Sequence, residues 1–200
     1  MRRFFAPPEH FRAEKVRLAG EEAHHLRRVL RLGPGAQVYV FDGQGREYQV
    51  EIEGWEGDAV LGRILAEVTP VPEASLELTL AQGLAKGDKL ELVIQKATEI
   101  GVQAVVPLHT GRSVVRPSGR DGERAARWER VAREAAKQCR RARVPRVEPI
   151  TPLPALGERF HEYDAVLLLW EEERTCRLKE ALHELRTQGT CRRLLILIGP

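Results

Sequence analysis

After Ala74 the sequence switches repeatedly between two apolar patterns, and that switching limits the fold more than any other feature. Residues 76–83 (LELTLAQG), 103–108 (QAVVPL), 164–170 (DAVLLLW) and 192–198 (RRLLILI) are short apolar runs of strand length. Between them lie stretches with helical spacing. Residues 86–101 carry Leu90, Val93, Ile94 and Ala97 on one face, and Gly101 is suited to close the helix. Asp121 to Ala142 reads as a long helix with a narrow apolar face of Trp128, Val131, Ala132, Ala135, Ala136 and Cys139, and Pro145 blocks its continuation. Cys176 to Arg186 reads as a third helix. Strands alternating with helices imply an α/β domain whose parallel sheet is covered on both faces.

The first 70 residues follow a different rule. Glu21 to Leu32 predicts a helix with Leu26, Val29 and Leu30 on one face, ended by Gly33-Pro34-Gly35. QVYVFDG, REYQVEIEG and DAVLGRILAEV then alternate apolar and polar residues between Gly-rich turns, which predicts antiparallel strands. Asp42-Gly43-Gln44-Gly45 is a strong hairpin signal. With a first strand near Arg3 to Ala6, these segments predict a small β-barrel over residues 1–70. Thr69-Pro70-Val71-Pro72-Glu73 reads as a stiff linker to a second domain over 74–200.

In an open parallel sheet, ligands sit where strands end at their carboxyl side. The chain's last residues, Ile198-Gly199-Pro200, leave such a strand, and Glu171-Glu172-Glu173 follows another. Glu171 is a candidate ligand contact; the run as a whole also suits a solvated turn and helix start. The usual nucleotide motifs are missing. GPGAQV and DGQGRE lack the GxGxxG spacing, and GLAKGDK is not a phosphate loop. Neither HExxH nor GxSxG occurs. Adjacent His24 and His25 on a helix point about 100° apart and do not chelate one metal well. Cys139, Cys176 and Cys191 are far apart and read as free buried thiols, so no metal site is expected.

Charge points to a partner. The net charge is only +3, yet residues 112–146 hold eleven Arg and one Lys against four carboxylates, a local net of +8. Such a block suits a polyanion, although the chain is rich in arginine throughout, with 26 Arg to 6 Lys. Lys86, Lys89 and Lys96 surround one helix, and Arg112 and Arg116 flank Ser113-Val114-Val115, which would suit a groove for an RNA backbone. No apolar run approaches the roughly 18 residues of a bilayer span, and no apolar core follows Arg2 and Arg3 as a secretory signal requires. The expected location is the cytoplasm.

Several stretches together resemble one family. They are EEAHHLRRVLRLGPGAQVYVFDGQGREY, LAQGLAKGDKLELVIQKATEIGVQAVVPLHTGRSVV, RWERVAREAAKQCRRARVPRVEPI and the closing LLILIGP. The chain resembles the RsmE family of ribosomal RNA methyltransferases, of the SPOUT (trefoil-knot) class. QKATEIGV and the A-x-Q-C-x-R-x-x-V-P pattern from Ala136 to Pro145 carry most of the likeness. The resemblance implies a PUA-like RNA-binding barrel followed by a knotted α/β methyltransferase domain, and a homodimer. It implies methyl transfer from S-adenosylmethionine to N3 of a uridine in small-subunit (16S) rRNA near the decoding centre. Relatives continue past IGP into a Glu-Gly-Gly loop and the rest of the knot, so a truncated sequence or an omitted tail is expected here. The implied cofactor walls are Leu169, Trp170 and Glu171, the loop of Ile198, Gly199 and Pro200, and a later loop that this sequence does not include, so weak cofactor binding is expected of the chain as given. The expected RNA contacts are Arg3, Lys86, Lys96, Arg112, Arg116, Gln138, Arg140 and Arg143. No catalytic base is identified. Two other readings remain: a non-catalytic PUA-like RNA-binding adaptor that dimerises through its α/β domain, and a nucleotide-dependent kinase, which the missing phosphate loop disfavours.

Overall fold

The alternation in the first seventy residues is realised as a six-stranded sheet. It is seen in a computed structural model that describes residues 2–113 and 119–199. The strands are β1 (Arg3–Phe5), β2 (Phe11–Arg12), β3 (Lys15–Leu18), β4 (Gln37–Phe41), β5 (Glu47–Glu56) and β6 (Ala59–Val68). They run in the order β1-β4-β5-β6-β3-β2, antiparallel except for β1 beside β4. Period-two burial places Val16, Leu18, Val38, Val40, Val50 and Ile52 in one apolar core with Phe4 and Leu26. Gly62 lets two strands approach closely, because a Cβ there would collide with Val50 Cγ1.

The expected helix over 21–32 is shorter and has a different register. α1 (Gly20–His24) continues into a π turn over His25–Val29, with Leu30 N–H donating to the His25 carbonyl at 2.9 Å. The wider turn keeps Leu26 buried but rotates Val29 off the core face, leaving it 61% exposed.

The chain forms two compact units. One is Met1–Pro72 with Ala136–Val144, and the other is Glu73–Ala135 with Pro145–Pro200. The Asp42-Gly43-Gln44-Gly45 turn explains why 136–144 belongs to the first. Buried Asp42 accepts from Gln44 N (2.7 Å) and Arg46 N (3.0 Å), fixing the turn. Gly45 N–H then donates to Ala142 O and Val144 N–H to Gly43 O. Gly43 has φ +77, and a Cβ there would lie 2.9 Å from Phe5 Cε2, so both backbone and packing require glycine.

The second unit holds the predicted parallel sheet. β7 (Glu77–Gly83) leads to α2 (Lys89–Glu99), β8 (Ala104–His109), α3 (Asp121–Cys139) and the short strands β9 (Arg146–Val147) and β10 (Thr151–Pro152). α4 (Leu153–Gly157), β11 (Ala165–Leu169), α5 (Leu178–Gln188) and β12 (Arg193–Ile198) complete it. The order is β10-β8-β7-β12-β11, parallel throughout, with β9 also beside β8. α2 buries Leu90, Ile94 and Ala97 as expected. One face of the sheet packs Ala81, Val106, Leu195 and Leu197 against Leu156 of α4. α4 itself was not anticipated. Two prolines mask it in the sequence, yet proline is tolerated in a helix's first turn.

Three further expectations differ. α3 stops at Cys139 rather than Ala142, because Arg140 takes φ +66 and leaves the helix. α5 starts at Leu178, so the three glutamates precede it and Glu180 occupies its first turn. Cover on both faces fails at the β11 edge, where Leu168 is 69% exposed and α5 buries none of its residues.

Candidate active site

β11 and β12 lie side by side in register, with Leu169 opposite Ile198. Both strands therefore end at one level, and the chain leaves each there. A cavity of about 1120 Å³ opens at that level in the second unit. It is lined by Leu169, Trp170 and Glu171 after β11, and by Ile198 and Gly199 at the end of β12. Thus five of the six expected cofactor residues converge on one cavity; Pro200 lies outside the described residues. A side chain built on Gly199 would meet nothing within 4 Å, so backbone and cavity are in open contact there.

Gln82 holds this corner. It sits at the carboxyl end of β7, is only 8% exposed, and its Nε2 donates to the Gly199 carbonyl at 3.0 Å. A buried amide satisfied in this way fixes the path of the chain as it leaves β12.

The opposite wall is set by Glu173. Its carboxylate accepts from the Thr175 hydroxyl and N–H, both at 2.5 Å, and from Cys176 N–H at 3.1 Å. The Thr175 hydroxyl and the two N–H donors hold the carboxyl down to about 2, well below the usual range. Arg174 closes the turn by donating from Nη1 to the Glu171 and Glu173 carbonyls, each at 3.1 Å. The acidic run is therefore a self-bonded loop. Glu171 faces the cavity, and its carboxylate has no partner among the described residues.

Of the expected RNA contacts, Lys86 and Arg112 line this same cavity, as does Lys89. Lys96 is exposed and paired with Glu99 at 2.9 Å. Arg116 lies outside the described residues. Gln138, Arg140 and Arg143 fall in the first unit and are exposed. The Arg143 guanidinium lies along the Gly45 backbone, with Nη2 3.5 Å from where a Cβ would stand. Arg3 is different. Its side chain is 9% exposed, Nε bonds Glu47 at 2.6 Å, Nη1 donates to the Ala136 carbonyl at 3.0 Å, and the guanidinium covers the Phe41 ring. In this arrangement it is an internal anchor of its unit.

The cysteines are free, but not buried as expected: Cys176 is exposed and the other two are half-buried. Among the described residues, no cluster of His, Cys, Asp and Glu could hold a metal ion, and no helix is long and apolar enough to cross a membrane.

The comparisons with known proteins decide the family. An RNA methyltransferase domain profile matches residues 72–200, and an RNA methyltransferase PUA domain profile matches 18–65. The chain belongs to the RsmE family of ribosomal RNA methyltransferases. It is 34% identical to the ribosomal RNA small subunit methyltransferase E of Bacillus subtilis, over 78% of this chain and 61% of the relative. It is 32% identical to the Mycobacterium bovis protein of the same name, over 90% of this chain and 68% of that one. A crystal structure of the Neisseria gonorrhoeae enzyme bound to S-adenosyl methionine matches with a TM-score of 0.84 at 29% identity, covering 100% of this chain and 79% of that one. The matched part of this RsmE-family chain thus spans about three fifths of its Bacillus relative.

Sequence reasoning missed Gln82 and the Glu173–Thr175 turn. Gln82 carries a weak signal, since a lone amide ends an apolar strand, LELTLAQG. Its partner is 117 residues away, which no local pattern reveals.

Proposed function

We propose that this chain uses S-adenosylmethionine to methylate N3 of a uridine in small-subunit (16S) rRNA near the decoding centre. The observation that carries the reading is the cavity where β11 and β12 end, within a chain of this family. Its volume and mixed lining, with open backbone at Gly199 and the apolar surfaces of Leu169, Trp170 and Ile198, suit a nucleoside-sized cofactor. When bound, S-adenosylmethionine supplies a reactive sulfonium methyl.

This chain's residues would do the rest. Gln82 fixes the Gly199 wall, and the Glu173 turn fixes the facing one. Correct placement of two reactants can supply on the order of 7–11 kcal/mol. Lys86, Lys89 and Arg112 would neutralise phosphates of the RNA, and arginine does so with a planar two-pronged fork. N3 of uridine carries a proton that must leave, and the base must be out of any pairing or stack. A general base there contributes about 10²–10⁴-fold. Of the two carboxylates that line the cavity, Glu173 is held by its own loop, which leaves Glu171 to accept that proton.

In the same reading residues 1–70 form a PUA-like RNA-binding barrel, residues 74–200 belong to a SPOUT trefoil-knot domain, and the enzyme is a cytoplasmic homodimer. Gln138, Arg140, Arg143, Lys96 and Arg116 add RNA contacts. The test is twofold. Calorimetry should give saturable S-adenosylmethionine binding, and small subunits treated with enzyme and cofactor should acquire a reverse-transcription stop at one uridine. RNA binding without cofactor heat or a stop would leave an adaptor, not an enzyme.

A further inference from the structure

The first unit has a second cavity, far smaller than the one at the strand ends, and nothing above gives it a role. Its volume is about 480 Å³, and it lies beside the β2–β3 hairpin. Buried Val16 and the half-buried Leu61 supply aliphatic walls. The His10 ring supplies a third wall, and its Nδ1 is buried with no hydrogen-bond partner. Such an unsatisfied group is costly, and a ligand with a matching polar edge would offset that cost.

Charge at the rim narrows the choice of ligand. Lys15 and Arg17 are paired with Glu53 (3.1 Å) and Glu56 (3.3 Å). Arg12 is exposed, and its side chain has no partner among the described residues. The remaining acid on the rim is Glu9. The pocket thus offers aliphatic and imidazole walls, one buried ring nitrogen and a free guanidinium at the mouth. A planar heterocycle with an N–H on its edge and a phosphate attached matches all three. We propose that this cavity holds one unpaired nucleotide of the RNA, the base against Val16, Leu61 and the His10 ring, and the phosphate on Arg12. The inference rests on the reading that this chain handles RNA, and it adds a contact that none of the RNA residues named above supplies. Base stacking with an aromatic ring and phosphate pairing with arginine are the two standard contributions to single-strand binding.

The test uses the full chain labelled with ¹⁵N-histidine, titrated with uridine monophosphate and with a hexauridylate strand. The expected result is a shift of the His10 ring nitrogens with both probes. Hexamer affinity at low salt should fall about fivefold or more in His10→Ala and about threefold in Arg12→Ala. Arg12→Glu, at an exposed position, should weaken binding further and serves if the His10 variant does not fold. S-adenosylmethionine affinity should be unchanged in all three. Silent His10 resonances with wild-type hexamer affinity in the Arg12 variants would overturn the proposal, even if methylation proceeds. So would a response to hexaglutamate stronger than to the hexamer. If the chain binds no S-adenosylmethionine but His10 still responds as expected, the nucleotide site stands and the enzyme reading falls.

Discussion

Arg140 occupies a position that glycine would fill more cheaply. It ends α3 with φ +66, in the left-handed region where a side chain strains against the backbone by about 1–2 kcal/mol. Arg140→Gly should therefore stabilise the protein, by about 0.5–1 kcal/mol after glycine's extra unfolded-state entropy is counted, seen as a higher urea midpoint at unchanged slope. The same change should weaken RNA binding, since the guanidinium is exposed. Gain of stability with loss of affinity is the usual sign of a strained residue kept for function. A destabilised variant would show that the strain is illusory. Gln82 makes the opposite case. Gln82→Leu keeps the volume but leaves the Gly199 carbonyl without its donor, costing about 1 kcal/mol. S-adenosylmethionine should bind several-fold more weakly by calorimetry, and wild-type affinity would remove Gln82 from the site.

At the level of elements, legibility followed the range of the interaction. β4, β5, β7, β8, β11 and β12 are visible in the sequence because each is an apolar or alternating run of five or more residues. The π turn is not, because the same Leu26, Val29 and Leu30 fit an α-helix, and only packing decides which of them faces inward. The late start of α5 has a local cause that composition hides. Glu173 spends its carboxylate on Thr175 and Cys176, which fixes a turn before Leu178. Its lowered pKa makes this turn sensitive to pH. The loop bonds are fully present above about 4.5, the ordinary glutamate value, and are lost as pH falls through about 2. Because the Thr175 hydroxyl is the largest cause, Thr175→Val should move the Glu173 titration upward from about 2 toward the ordinary value, followed by carboxyl ¹³C shifts. A midpoint that stays near 2 would assign the effect to the backbone donors alone.

For the whole molecule, the sequence brings five of the expected cofactor residues to one cavity but does not show that Lys86 and Arg112 share it. The cavity's place was legible because parallel sheets open their clefts at the strands' carboxyl ends whatever the side chains. The overlap was not, because Lys86 and Arg112 reach the cavity from loops after β7 and β8, and loop paths are not encoded in periodicity. The placement predicts two classes of cationic variant. Each phosphate contact removed from a single strand lowers the slope of log affinity against log salt by about 0.7. Arg112→Ala and Arg140→Ala should each produce that drop with a 16S rRNA fragment. Arg112→Ala should also weaken S-adenosylmethionine binding, since Arg112 lines the cavity proposed for the cofactor, whereas Arg140→Ala should leave cofactor binding untouched, since Arg140 does not line that cavity. With no shared partner the two slopes should add in the double variant, to about 1.4. Equal cofactor affinity in both single variants would separate RNA from cofactor residues after all, and a double variant no worse than either single one would mean that only one of the two arginines meets phosphate.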